Sequence, residues 1–220
     1  MRPTVFFVSA LSLLVTGCLH FEQMILLTEE GAANVRLVYS LPEDAFEAFK
    51  AAREQVDAWH ERSPVSTPYW PWNEEVVRKT VADQQGELLS YESGVRDGLR
   101  YAELSYRIDN VDFEKGHELL PQLTITKGKR YGERVLALQL TDPEGGRDEL
   151  SDAEFETLRQ LCRGMQLRFA IRVPGAIKAS TGRQIDEHTV AWTFDADKDP
   201  AFLKEPPEIS LTYQMTPGVE

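Results

Sequence analysis

Regular alternation of apolar and polar side chains is the feature that most restricts this chain. Leu167, Phe169, Ile171 and Val173 alternate with Gln166, Arg168, Ala170 and Arg172. Period two places successive side chains on opposite faces of a strand, so one face is apolar and must be covered. The pattern recurs at Val35, Leu37, Tyr39 and Leu41, at Ala102, Leu104, Tyr106 and Ile108, and at Leu136, Leu138 and Leu140. It returns at Val190, Trp192 and Phe194, and at Ile209, Leu211, Tyr213 and Met215. Asp97-Gly98, Lys127-Gly128, Pro174-Gly175 and Thr181-Gly182 punctuate the runs, which favours antiparallel hairpins. Residues 21–28 supply one further strand ahead of Gly31.

Three helices are expected among these strands. Ser40 and Glu43 have the spacing of a capping box, with Pro42 in the first turn. Phe46, Phe49, Ala52, Val56 and Trp59 then form one apolar stripe. Asn73 caps a short second helix, with Glu74 and Glu75 at its positive end. Ser151 and Glu154 open the third, whose buried side is Phe155, Leu158, Leu161, Cys162 and Met165. Gly164 stands where a C-terminal cap belongs. This element order predicts an α+β fold with a largely antiparallel sheet. Three helices cover limited area, so the sheet is expected to be curled or barrel-like, or to leave a cavity against the helices.

The first residues carry an address. Arg2 precedes an apolar run from Val5 to Val15, broken only by Ser9 and Ser12. Such a run is a secretory signal, too short to span a bilayer. It ends in Leu14-Val15-Thr16-Gly17-Cys18, which resembles the lipobox of bacterial lipoproteins. The resemblance implies diacylglycerol transfer to the Cys18 sulfur, cleavage ahead of Cys18 and acylation of the new amine. Residues 1–17 are then a signal peptide and 18–220 a single lipid-anchored α+β domain. In the sorting rule of Gram-negative lipoproteins, aspartate after the cysteine retains the protein at the inner membrane. Leu19 implies the outer membrane, facing the periplasm. No later segment approaches the ~18 consecutive apolar residues that a span needs.

A formal net charge of −12 argues against nucleic acid, whose phosphates require Lys and Arg. It also argues against general adsorption to anionic lipid, so the anchor itself must hold the chain. With Cys18 lipidated, Cys162 is the remaining thiol, and no disulfide framework is available.

At Val173-Pro174-Gly175, Ser180-Thr181-Gly182 and Thr189-Val190-Ala191-Trp192 the chain resembles LppM-like bacterial lipoprotein domains. The shared features are a strand ending in Pro-Gly, a short strand, a small-residue turn and a Thr-Val-x-Trp strand. The opening, a lipidated cysteine followed by a strand pair and a helix, is similar as well. The resemblance implies a lipid-anchored α+β domain with a barrel-like sheet, holding a lipid. This chain departs from the pattern in ending at Glu220 without a membrane helix, and no binding residue of the family carries across.

Chemistry-bearing motifs are few. Asp195, Asp197 and Asp199 stand at positions 1, 3 and 5 of a calcium loop. Proline replaces the glycine that follows, and the final glutamate is missing, so Asp199 reads as a cap with Pro200 at the first helical position. His20, His60, His117 and His188 are scattered, and no zinc spacing, nucleophile elbow or phosphate loop occurs. Cys162 lies on an apolar stripe and reads as a buried structural thiol. No metal and no cofactor are expected, and the chain is read as a non-enzymatic binding protein. The alternative is an envelope hydrolase using two of the 36 acidic residues, a chemistry without a short motif.

Two sets of residues are candidates for contact with a lipid or an envelope protein partner. Tyr69, Trp70 and Trp72 form an aromatic loop suited to a bilayer interface or a partner. Lys127, Lys129, Arg130 and Arg134 cluster in an otherwise acidic chain, and are expected to lie near lipid headgroups.

Overall fold

The computed structural model describes residues 19–47, 49–50, 71–109, 111, 120, 123–138, 151–205 and 207–215. Strands β1 (His20–Leu27) and β2 (Ala33–Pro42) form a first hairpin, turning at Gly31. Helix α1 (Glu74–Asp83) leads into a second hairpin, β3 (Gly86–Arg96) and β4 (Leu99–Ile108). Its turn holds Asp97 at φ +52° and Gly98 at φ +76°. Two successive left-handed residues match the twist of the flanking strands, and Asp-Gly tolerates that conformation. Strands β5 (Leu123–Lys127) and β6 (Glu133–Leu138) form a third hairpin, followed by helix α2 (Asp152–Leu161). The last third comprises β7 (Gln166–Arg172), β8 (Ala176–Ser180), β9 (Arg183–Gln184), β10 (Thr189–Asp195), a 3-10 turn (Pro200–Leu203) and β11 (Ile209–Gln214).

These strands fall into two sheets. The larger has the order β3-β4-β2-β1-β7-β10-β9, and the smaller β5-β6-β11-β8. Neighbours are antiparallel except β1 and β7, which run parallel. One hydrophobic core joins the sheets. The larger contributes Ile25, Val35, Leu104, Tyr106, Ile171 and Trp192, and the smaller Leu123, Leu136, Ile209 and Leu211. Val77 and Val81 of α1 extend the same core. The apolar alternation read from the sequence is the inner face of this sandwich.

The expectation of an α+β fold, with a curled or barrel-like sheet packed by three helices, is not met. The chain is mostly sheet, in two open layers, with two α-helices of defined extent among the described residues. Alternation shows that a face must be covered, but not by what. Here a second sheet is the cover, because Pro174-Gly175 carries the chain from β7 in one sheet to β8 in the other. Among the described residues, four of the eleven strands thus pair among themselves and do not continue the first sheet round to closure.

The first expected helix also starts later than Ser40. Ser40, Leu41 and Pro42 remain in the ladder opposite Tyr101, Arg100 and Leu99, and helical backbone begins at residue 43. Helical backbone is described at residues 43–47 and 49–50, and the later members of the expected stripe, Ala52, Val56 and Trp59, lie outside the described residues. Asn73 caps α1 as expected, accepting from the Val76 N–H at 3.2 Å. Before α2, the Ser151 carbonyl accepts from the Phe155 N–H at 2.9 Å. After it, Gly164 takes φ +74°.

Gly175 sits where the two sheets meet. A Cβ there would fall on the backbone carbonyl of Gln214, which cannot swing aside as a side chain could. Gly175→Ala is expected to cost about 1–3 kcal/mol through forced backbone displacement. Urea unfolding would register this as a lower midpoint with an unchanged slope.

Candidate functional site

Core packing uses one face of the larger sheet and leaves the other to solvent among the described residues. Strand register aligns that outer face in rows. Arg183, Ala191, Ala170, Met24 and Arg36 are direct neighbours on β9, β10, β7, β1 and β2. The adjacent row runs Thr193, Arg168, Glu22, Val38 and Glu103. Two alanines in the centre of the first row leave a hollow between long side chains. At ~4.8 Å between strands, Arg183 and Arg36 stand about 19 Å apart across it. The result is a groove of about 630 Å³, walled on one side by Thr181, Gly182 and Arg183.

Its ionisable lining is Arg36, Arg168, Arg183 and Glu22. Arg168 Nη1 donates to Glu22 Oε1 at 2.8 Å, and Arg36 Nε donates to Glu103 Oε1 at 2.7 Å. The Glu103 carboxylate raises the Arg36 pKa further, with Glu22 adding to the effect. Each of these guanidiniums spends one N–H on its carboxylate and keeps others for a ligand. Arg183 is exposed, and its guanidinium has no ion pair or hydrogen bond among the described residues. The groove is cationic in a chain of net charge −12.

The wall is fixed from the core side. Trp192 Nε1 donates to Thr181 Oγ1 at 3.0 Å, and Thr181 Oγ1 in turn accepts from the Ser210 N–H at 3.0 Å. Gly182 lies flat on the Trp192 ring, where a Cβ would come within 2.5 Å of Cε2. The short crossing from β8 to β9 is thereby clamped between the two sheets.

Of the residues singled out in the sequence, Cys18, Tyr69 and Trp70 lie outside the described residues. Trp72 packs into a side cluster with Leu41, Ala45, Phe46 and Phe49, its ring 5.5 Å from that of Phe46 and 5.8 Å from that of Phe49. Lys127, Lys129, Arg130 and Arg134 do gather at the tip of the β5–β6 hairpin, Lys127 directly opposite Arg134. That tip adjoins Gln214, and Gln214 pairs with Ala176 just beyond the end of β7. The cluster therefore stands at the end of the sandwich where β1 and β7 finish. His20, which opens β1, stands at the opposite end.

The acidic run behaves as a turn. Asp195 Oδ1 accepts from the N–H groups of Asp197 and Lys198, and Lys198 Nζ reaches Oδ2 at 2.8 Å. That ammonium holds the Asp195 carboxyl below its usual range. Asp199 caps the 3-10 turn, with Pro200 first, as the sequence predicted. Among the described residues no cluster of three metal-ligating side chains occurs. Cys162 is half-buried beside Phe155 and Met165, and burial pushes its thiol pKa up.

The sequence matches no protein-family model. No curated protein matches it either. Among solved structures, the folded domain of the LppM protein of Mycobacterium tuberculosis is similar at TM-score 0.45 and 10% identity. The match covers 92% of this chain and 94% of that domain. A likeness at that level carries no residue or activity across.

Proposed function

We propose that this chain is a lipoprotein of the bacterial cell envelope, anchored through Cys18, whose groove binds an anionic lipid headgroup without turning it over. The observation that carries the reading is Arg36, Arg168 and Arg183 gathered around a floor of Ala170 and Ala191. Two of those guanidiniums hold spare donors and the third is uncommitted, an arrangement suited to phosphate or carboxylate. The one lining carboxylate, Glu22, is paired with Arg168 at 2.8 Å, so the three guanidiniums set the sign of the groove. Reach supports the choice of a lipid. Glu22 is four residues from Cys18, at most about 14 Å, so the rim of the groove stands close above an anchoring membrane. In a cell with two membranes, Leu19 in place of aspartate supports the outer membrane as that surface, with the domain in the periplasm.

The test is native mass spectrometry of the full-length lipoprotein released from detergent, offered phosphatidylglycerol or phosphatidylcholine. Phosphatidylglycerol is expected to bind in preference. Arg183→Glu should weaken that binding by about tenfold or more, the worth of a charge-assisted hydrogen bond. Equal binding of both lipids, or indifference to Arg183→Glu, would remove the groove from consideration.

A further inference from the structure

We infer that the tip of the β3–β4 hairpin, residues 95–99, is a second membrane contact, which sets the domain edge-down on the bilayer that holds its anchor. The inference rests on the reading of Cys18 as the lipidated residue.

The sheet is engaged from the first described residue, Leu19. The Leu19 carbonyl accepts from the Gln166 N–H at 3.0 Å, and His20 is already paired with Ser40. No flexible tether separates the anchor from the sheet, so the end of the sheet at His20 must lie at the membrane. Two residues reach at most about 7 Å, which bounds how far Cys18 can stand from His20.

The hairpin projects to the same depth. Ser40 pairs with Tyr101, level with His20, and the ladder then continues through Leu41 with Arg100 and Pro42 with Leu99. Two further residues of strand advance about 7 Å toward the membrane. At this level Val95 is 52% exposed and Leu99 37%, two of the few large apolar side chains open to solvent among the described residues. Val95 pairs with Arg100 and Leu99 with Arg96, so the two occupy opposite faces of the ribbon. The tip is a wedge, apolar on both sides, and not a flat patch.

Its charges fit a headgroup layer. Arg96 is exposed and Asp97 stands at the turn, while Arg100 is engaged with Glu43 at 2.6 and 2.8 Å. The Glu43 N–H also donates to the Gly98 carbonyl at 2.9 Å, which holds the tip rigid before any membrane is met. Arg96 further contacts Glu92 at 3.3 Å and lies over the Tyr101 ring. At the other side of the same sheet end, the loop from Asp195 to Asp199 carries three aspartates and one lysine. Anionic headgroups repel that loop, which favours approach through the β3–β4 tip.

The test uses full-length lipoprotein, its acylated Cys18 verified by mass, with Cys162→Ala so that a single introduced thiol carries an environment-sensitive fluorophore. The protein is reconstituted into phosphatidylethanolamine–phosphatidylglycerol vesicles with the label at Leu99→Cys or, as the distal reference, Tyr131→Cys. Tyr131 is 78% exposed at the far hairpin. The label at 99 should shift to the blue and be quenched severalfold more by headgroup-nitroxide lipids than the label at 131. Equal, water-like signals at both sites in acylated, vesicle-bound protein would overturn the docking and leave the anchor standing. Absence of acyl mass on Cys18 would overturn the anchor, and the docking with it.

Discussion

Replacing Trp192 with alanine is expected to remove about 3–5 kcal/mol, the cost of deleting a buried indole from a packed core. A domain of this kind has about 5–15 kcal/mol in hand, so the variant should be close to unfolding at physiological temperature. Three losses combine at this one position. The ring is only 5% exposed and belongs to the core shared by both sheets. Its Nε1 holds Thr181, which in turn binds the Ser210 N–H and the Glu208 carbonyl of the segment entering β11. Gly182 rests on its face, and has no side chain with which to fill the space. Trp192→Phe should retain most of the packing and lose chiefly the hydrogen bond, a smaller cost of about 1 kcal/mol plus the lost volume. Urea unfolding of the two variants separates packing from hydrogen bonding. A Trp192→Ala protein within 1 kcal/mol of the parent would show that the crossing is not clamped by this ring.

The second large effect is on processing. Cys18→Ser is expected to abolish both acylation and cleavage, so that the protein keeps residues 1–17. Diacylglycerol transfer requires the thiol, and the cleavage that follows requires the lipid. Each buried methylene contributes about 0.8 kcal/mol, so a chain with several acyl tails stays on the membrane where one with none does not. A net charge of −12 offers no electrostatic substitute on an anionic surface. Intact-mass measurement distinguishes the outcomes. Parent protein should begin at an acylated Cys18, and Cys18→Ser at Met1. A Cys18→Ser protein trimmed to the same length as the parent would mean ordinary signal cleavage beside an incidental cysteine.

Much of the strand pattern was legible before the structure. The alternation at Leu167, Phe169 and Ile171, the Asp97-Gly98 turn and the Asn73 cap each express a local rule, and each is observed. The helix start at Ser40 was misread because Pro42 is as compatible with the end of a strand, where its missing N–H is not needed, as with a first helical turn. The partner of each apolar face was illegible for a deeper reason. Periodicity specifies which side chains share a face, while the choice between helix, curl and second sheet is made by pairings between distant segments. The groove was hidden in the same way. Arg36, Arg168 and Arg183 each look like the polar member of an ordinary amphipathic strand. Only the register across five strands gathers them, and only the small size of Ala170 and Ala191 opens the space between. In contrast, the cluster from Lys127 to Arg134 is conspicuous because its members lie close together in sequence, and one hairpin holds them at its tip.

The parallel pairing of β1 with β7 has a kinetic consequence. The first strand among the described residues is central in the larger sheet, and one of its two neighbours comes from the last third of the sequence. Glu22 and Arg168, which meet across that pair, are 146 residues apart. Closing so long a loop is entropically costly before any contact repays it, and sheets rich in such pairings fold in milliseconds to seconds. Until residue 166 arrives, β1 presents an open hydrogen-bonding edge, the kind of template on which chains aggregate. A sheet completed so late leaves its central strand open along one edge until most of the chain has been made.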